Sequence, residues 1–186
     1  MLKSGIIACA LVSAFALEAQ ARAMETPQEL IDTVSQDAVD FLSDEVLSDE
    51  EAGALLGAVN VDAISRFALG RYVHQANDAE LASYQNAFEL YLADQLQTHM
   101  SNFSGSEFNV VDTVEREPGD VVVETQVTNA AGETFPVSWR VKSFDGDWQI
   151  IDVEFEGLWL IIEQRAQFQA ALDANGGDIS ALTDSF

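Results

Sequence analysis

Apolar and polar residues along this chain follow two rhythms, a helical one up to about residue 100 and an alternating one from 108 to 156. Thr26-Pro27-Gln28-Glu29 joins an N-cap residue, a proline at the first helical position and a capping-box glutamate. Leu30, Val34 and Phe41 follow on one stripe, which predicts a helix over 26–42. Ser48-Asp49-Glu50-Glu51 starts a second, short helix in the same way, leading into Leu55 and Leu56. A third is predicted over 61–74, with Ile64, Phe67, Ala68 and Tyr72 on its apolar side. Asn77-Asp78-Ala79-Glu80 caps a long fourth helix, where Leu81, Phe88, Leu92, Leu96 and Met100 recur at helical spacing.

Then the period becomes two. Phe108, Val110 and Val114 alternate with polar residues, and Pro118-Gly119-Asp120 makes a turn. Val121, Val123 and Val127 lie on one side of the next strand, with Glu124 and Gln126 on the other. After a second turn at Ala131-Gly132, Phe135, Val137, Trp139 and Val141 alternate with Ser138, Arg140 and Lys142. Asp145-Gly146 is the strongest hairpin signal in the chain. A last strand runs over 148–156, a helix over about 158–173 closed by Gly176-Gly177, and a short tail over 179–182. The expected fold is α+β: helices packed on one face of a four-stranded antiparallel meander, with a closing C-terminal helix.

The first residues change the picture of where the chain goes. Lys3 precedes an apolar run over 5–17, and Ala21-Arg22-Ala23 offers an A-x-A cleavage site, which is the order of a secretory leader. The reading is a signal peptide over 1–23, a single domain over 24–186 and export to the periplasm. The only cysteine, Cys9, falls inside the leader, so the mature chain offers no disulfide and no thiol chemistry. The 186 residues carry 8 Lys and Arg against 32 Asp and Glu, a net charge of −24. Such a surface disfavours phosphate backbones and anionic bilayers alike, which argues against nucleic acid and against stable direct membrane binding.

Candidate chemistry is sparse. His74 and His99 are the only histidines and have no spaced partners for a zinc set, and no G-x-S-x-G elbow, phosphate-binding glycine loop or H-E-x-x-H occurs. Asp152, between Ile151 and Val153, interrupts a hydrophobic strand. It is read as an outward-facing residue in parity with Trp148 and Glu154, the alternative being a general base at a cavity. What the chain does offer is apolar side chains on both layers. The strands supply Val110, Val123, Val137, Trp139, Val141, Ile151, Val153 and Phe155; the helices supply Phe67, Phe88, Leu92, Leu158, Ile161, Ile162 and Phe168. Periodicity does not separate a filled core from a lined pocket.

The segment from Trp148 through Asp152, Glu156-Gly157 and Leu160, then Arg165-Ala-Gln-Phe168 and Gly176-Gly177, is distinctive. Together with Leu69-Gly70-Arg71, Gln75-Ala76 and a helix bearing Phe88, it resembles the MlaC, or toluene-tolerance, family. The resemblance covers about 61–182. It departs at Val73-His74, where the family usually has Trp-Arg, at Trp159, where it often has Ser, and at Leu96 in place of a common Tyr. The resemblance implies an NTF2-like cone and a periplasmic phospholipid carrier whose acyl chains lie between helices and sheet. It also implies an inner-membrane ABC-transporter complex and an outer-membrane lipoprotein complex as partners, and no cofactor or catalytic residue. Two other functions fit the bare sequence: a cone-shaped isomerase or dehydratase using Asp152, and a ligand-free acidic interaction protein.

The charge generates a first expectation. The mature chain binds anionic vesicles weakly at low ionic strength, and added salt relieves the repulsion. Vesicle co-sedimentation showing tight binding at low salt that weakens as salt rises contradicts it.

Overall fold

Three helices begin with reciprocal capping boxes, and these fix their starts. The computed structural model describes residues 26–44, 46–184 and 186; the leader read at 1–23 lies outside the described residues. Helix α1 (Pro27–Phe41) is capped by Thr26, whose hydroxyl accepts from the Glu29 N–H while the Glu29 carboxylate accepts from the Thr26 N–H. Ser48 and Glu51 do the same for α2 (Asp49–Leu56), and Asn77 and Glu80 for α4 (Asp78–Met100). Between them, Asn60 caps α3 (Val61–Leu69) by accepting from the Ala63 N–H at 2.8 Å. Each such cap satisfies backbone donors that the first turn otherwise leaves unpaired.

The alternating segment forms an antiparallel sheet in strict chain order: β1 (Glu107–Glu117), β2 (Asp120–Thr128), β3 (Thr134–Phe144), β4 (Asp147–Phe155) and a two-residue β5 (Leu158–Trp159). The expected meander therefore has a fifth strand. Glu156 and Gly157 both take positive φ, 52° and 81°, and fold Leu158-Trp159 back onto Glu154-Phe155. The closing helix consequently starts at Leu160, not 158, and runs to Ala174 as α5; α6 (Ile179–Thr183) follows.

Bulges in β1 and β4 shift the expected parity. In β1 the pairing slips between Val110 and Asp112, so Thr113 rather than Val114 faces Val123, and Val114 is left 44% exposed. In β4 the slip falls at Ile151, because Val141 pairs with Ile150 and Arg140 with Asp152. An extra residue of this kind turns the following side chains to the other face. Trp148 and Ile150 pack with Val121, Val123 and Val141 against Leu30 and Ile31 of α1. Asp152 lies on the opposite face from Trp148, and the parity between them read from the sequence does not hold.

The residues leading into α3 lie along the free edge of β4. Asn60 N–H donates to the Ile150 carbonyl and the Ile150 N–H to the Ala58 carbonyl, each at 2.9 Å. Helices α3, α4, α5 and α6 enclose a separate apolar cluster around Tyr84, Phe88, Phe168 and Leu172. There Tyr84, Tyr91, Phe168 and Phe186 ring Phe88 at centroid distances of 5.7 to 6.3 Å. The predicted helix over 61–74 is broken: α3 ends at Leu69, and Gly70–His74 form a 3-10 turn.

The break has a cause in α5. Arg165 donates to the Phe67 carbonyl at 2.9 Å, satisfying a C-terminal acceptor of α3, and its guanidinium lies 4.5 Å over the Phe67 ring. Gly70, at φ +56°, makes room: a Cβ there would lie 2.6 Å from Gln169 Nε2 and 3.0 Å from Arg165 Nη2. Leu69-Gly70-Arg71 and Arg165-Ala-Gln-Phe168, nearly a hundred residues apart in the sequence, thus form one joint.

Gly70→Ala is therefore expected to lower stability by about 1–3 kcal/mol, the cost of a strained backbone conformation. Gly53→Ala, in α2 with open space around it, should raise stability by about 0.5–1 kcal/mol. Urea unfolding of the two variants checks both signs.

Candidate functional site

One end of the sheet face that α1 covers is lined by aromatic rings, whereas α3 and α5 flank the opposite face. Phe103 follows α4, Phe108 opens β1, Phe135 lies early in β3 and Phe155 ends β4. The antiparallel pairing brings these strand ends together, since Phe108 opposes Val127, Val127 opposes Phe135, and Val137 opposes Phe155. Phe103 stands 6.1 to 6.2 Å from the other three rings, and Phe135 meets Phe155 edge to face at 5.7 Å. All four are only half-buried, although the valines beneath them are closed off.

Farther along the same face stand Val110, Trp139 and Val153, half-buried, with Trp139 opposite Val153. The helical side carries Leu96 and Met100 of α4 and Phe41 of α1, which share a cluster with Phe103. Helix α4 makes its main contacts with α2, α3 and α6, not with the sheet. Leu96, Met100 and Phe41 thus bring helical apolar side chains to Phe103, which in turn meets the three strand-end rings.

The polar groups on the sheet wall are satisfied within it. The Trp139 indole N–H donates to Thr125 Oγ1 at 3.1 Å, and the Thr125 hydroxyl donates to the Val137 carbonyl at 2.9 Å. Thr125 itself is buried. Such a wall presents hydrocarbon and little else, which suits an alkyl chain and gives a polar substrate nothing to bond.

The fifteen apolar residues singled out in the sequence do not form one lining. Val110, Trp139, Val153 and Phe155 lie on this wall. Val123, Val137 and Val141 are closed core beneath it, and Phe88 and Phe168 belong to the packed helical cluster, with Leu92 against it. Leu158 is exposed beside Phe155. Phe67, Ile151, Ile161 and Ile162 surround a different cavity on the other side of the sheet, where Phe67 is 43% and Ile162 52% exposed. Phe103, Phe108, Phe135, Leu96 and Met100 were not singled out. A signal existed, aromatic residues at the paired ends of three strands, but it is visible only once the register is known.

Asp152 is not outward to solvent, and one of its oxygens is engaged by the backbone. It is 7% exposed, and its Oδ1 accepts from the Val153 N–H at 2.9 Å and the Ile161 N–H at 3.0 Å. Trp159, at the N-cap of α5, supplies no side-chain cap. Asp152 takes that place from the neighbouring strand. Burial pushes its carboxyl above the ordinary Asp range, against the pull of the two N–H donors and the Arg140 charge. No group of three His, Cys, Asp or Glu placed to hold a metal occurs among the described residues. Nor, among those residues, is any helix long and apolar enough to cross a membrane.

Two comparisons bear on these walls. The sequence model of the family described as MlaC protein matches residues 25–186. The fold is similar to that of a phospholipid-binding protein from Ralstonia solanacearum, solved in complex with a phospholipid. That match has a TM-score of 0.74 at 20% identity, over 84% of this chain and 92% of that one.

Asp152 generates a pH prediction. A carboxyl held above its unfolded value in the folded state favours folding at low pH, and the benefit is lost as pH rises from the ordinary Asp value through the raised one. Asp152→Asn, which keeps an acceptor for α5 but does not titrate, should gain stability relative to the native chain as pH rises through that window. Asp152→Ala removes the acceptor and should cost about 1–2 kcal/mol on either side of it. Chemical denaturation from pH 4 to 8 separates the two effects.

Proposed function

This chain belongs to the MlaC family, and we propose that it is a phospholipid carrier, holding acyl chains between the sheet wall and the C-terminal half of α4. The observation that carries the reading is the half-buried apolar wall of Phe103, Phe108, Phe135, Trp139, Val153 and Phe155, whose indole N–H is already bonded to the Thr125 hydroxyl beneath it. Aromatic rings gathered at one end of a sheet and left only half-buried offer an alkyl chain apolar surface to cover. The phospholipid held by the Ralstonia solanacearum protein of the same fold supports the choice of cargo.

Energetics explain why such a carrier needs walls rather than catalytic groups. Each buried methylene is worth about 0.8 kcal/mol, so two acyl chains exposed to water cost about 20 kcal/mol or more. Apolar walls of matching extent offset that cost, and transfer between two such environments is then nearly neutral. The acidic surface keeps the carrier from adsorbing to anionic membranes. It therefore exchanges cargo through protein partners, an outer-membrane lipoprotein complex and an inner-membrane ABC-transporter complex, while moving through the periplasm after loss of the leader over 1–23. The capping of α5 by one Asp152 oxygen accounts for the buried carboxyl without the isomerase or dehydratase reading.

The expected result is that protein purified from a bacterial periplasm yields diacyl phospholipid on denaturing extraction, read by mass spectrometry. Val153→Glu places a carboxylate against the chains and should lower lipid content about tenfold or more, because an unpaired charge against hydrocarbon is costly. Glu154→Gln, on the other face, should leave it unchanged. Recovery of lipid-free native protein, or normal lipid in a folded Val153→Glu protein, refutes this assignment; circular dichroism reports whether the variant is folded.

A further inference from the structure

On the sheet face opposite the aromatic wall, a cavity of about 310 Å³ opens between β3, β4, α3 and α5. Its walls are Phe67, Phe144, Ile151, Ile161 and Ile162, and its rim carries Arg140, Lys142 and Asp152. Arg140 and Lys142 alternate along β3 with Trp139 and Val141, so they point away from the cargo wall. We propose that this cavity is a second binding site, taking the single alkyl chain of an amphiphile whose anionic head pairs with Lys142.

Size sets the chain count. A volume of 310 Å³ holds about ten groups of the bulk of a water molecule, roughly 30 Å³ each. One alkyl chain of about ten carbons fills it, and a diacyl lipid does not fit. Exposed Phe67 and Ile162 at its edge gain cover when the chain enters.

Charge sets the head group. Six Lys and Arg follow the leader, and three of them, Arg116, Arg140 and Lys142, gather around Asp120. The Asp120 carboxylate is taken up by Arg140, which donates to it through Nε at 3.0 Å and Nη2 at 2.6 Å. The bound oxygen of Asp152 faces two backbone N–H groups at the start of α5. Asp120 is thus taken up by Arg140, Asp152 is bonded through one oxygen, and Lys142 makes no ion pair among the described residues. In a chain of net charge −24, three cations gathered at one corner lower the repulsion that an anion meets there. The anion is a fatty-acid carboxylate or the phosphate of a single-chain phospholipid, and both present the same chemistry to Lys142.

The test uses the mature protein as purified, with two photoreactive probes carrying a diazirine at the chain end: decanoic acid and a decanoyl lysophosphatidylglycerol. Saturable crosslinks to peptides containing Phe67, Phe144 or Ile162 are expected from one or both probes, and the probe that labels identifies the head group. Lys142→Gln should weaken half-saturation about tenfold, and Ile162→Asp, at a half-exposed position, should abolish labelling. Val153→Glu, on the cargo wall, should leave it intact. Crosslinks confined to Phe103, Phe108 or Phe155, or labelling indifferent to both cavity variants, overturns the second site. Because phospholipid content is measured separately, absence of these crosslinks in a protein that still carries phospholipid removes the second site and leaves the carrier standing.

Discussion

The bulge at Ile151 lets one strand serve three neighbours, and the arrangement of the helices around the sheet depends on it. Before the bulge, Trp148 and Ile150 close the core under α1. At the bulge, Ile151 turns toward the cluster shared by α3 and α5. Just after it, Asp152 reaches the first turn of α5 and accepts the Ile161 N–H, and Val153 returns to the face that α1 covers. Without the extra residue, the face carrying Asp152 would not meet α5. Arg165 would then lose the position from which it closes α3 and stacks on Phe67. A buried carboxylate is tolerated here because backbone N–H groups at a helix start are among the partners that best offset its loss of water.

Four cations in this acidic chain are placed where a carboxylate or carbonyl needs them. Arg66 pairs with Asp62 one helical turn away, Arg71 joins Tyr72 and Asp173, Arg140 neutralises Asp120, and Arg165 binds the Phe67 carbonyl. The first pair is exposed and contributes little to stability. The Asp120–Arg140 pair matters more, because Asp120 is buried and its carboxyl, chiefly through the Arg140 hydrogen bonds, is held below the usual range. Most of the remaining surface is negative, which sets how the molecule meets membranes and partners at a distance.

Two kinds of apolar surface coexist, and they differ in completeness rather than composition. The helical cluster around Phe88 is filled, with rings contacting one another from several sides. The wall around Phe155 has the same residue types, but its rings are only half-buried. A filled core contributes stability, whereas a half-open one keeps apolar area available for a guest.

The sequence by itself determined the elements whose signals are local. The capping boxes at Thr26, Ser48 and Asn77, the Pro118-Gly119 and Asp145-Gly146 turns, and the alternation in β2 and β3 each act within a few residues, so neighbouring side chains suffice to specify them. It also carried the family resemblance in segments that later proved to touch, Gly70 with Arg165 above all. Only the tertiary structure decided the bulges, the break at Gly70 and the capping role of Asp152, since each depends on partners far away in the chain. The separation of the fifteen apolar candidates into wall, core and second cavity was decided in the same way. A valine facing a helix and a valine facing open space follow the same alternation, and what distinguishes them is whether another element closes over it.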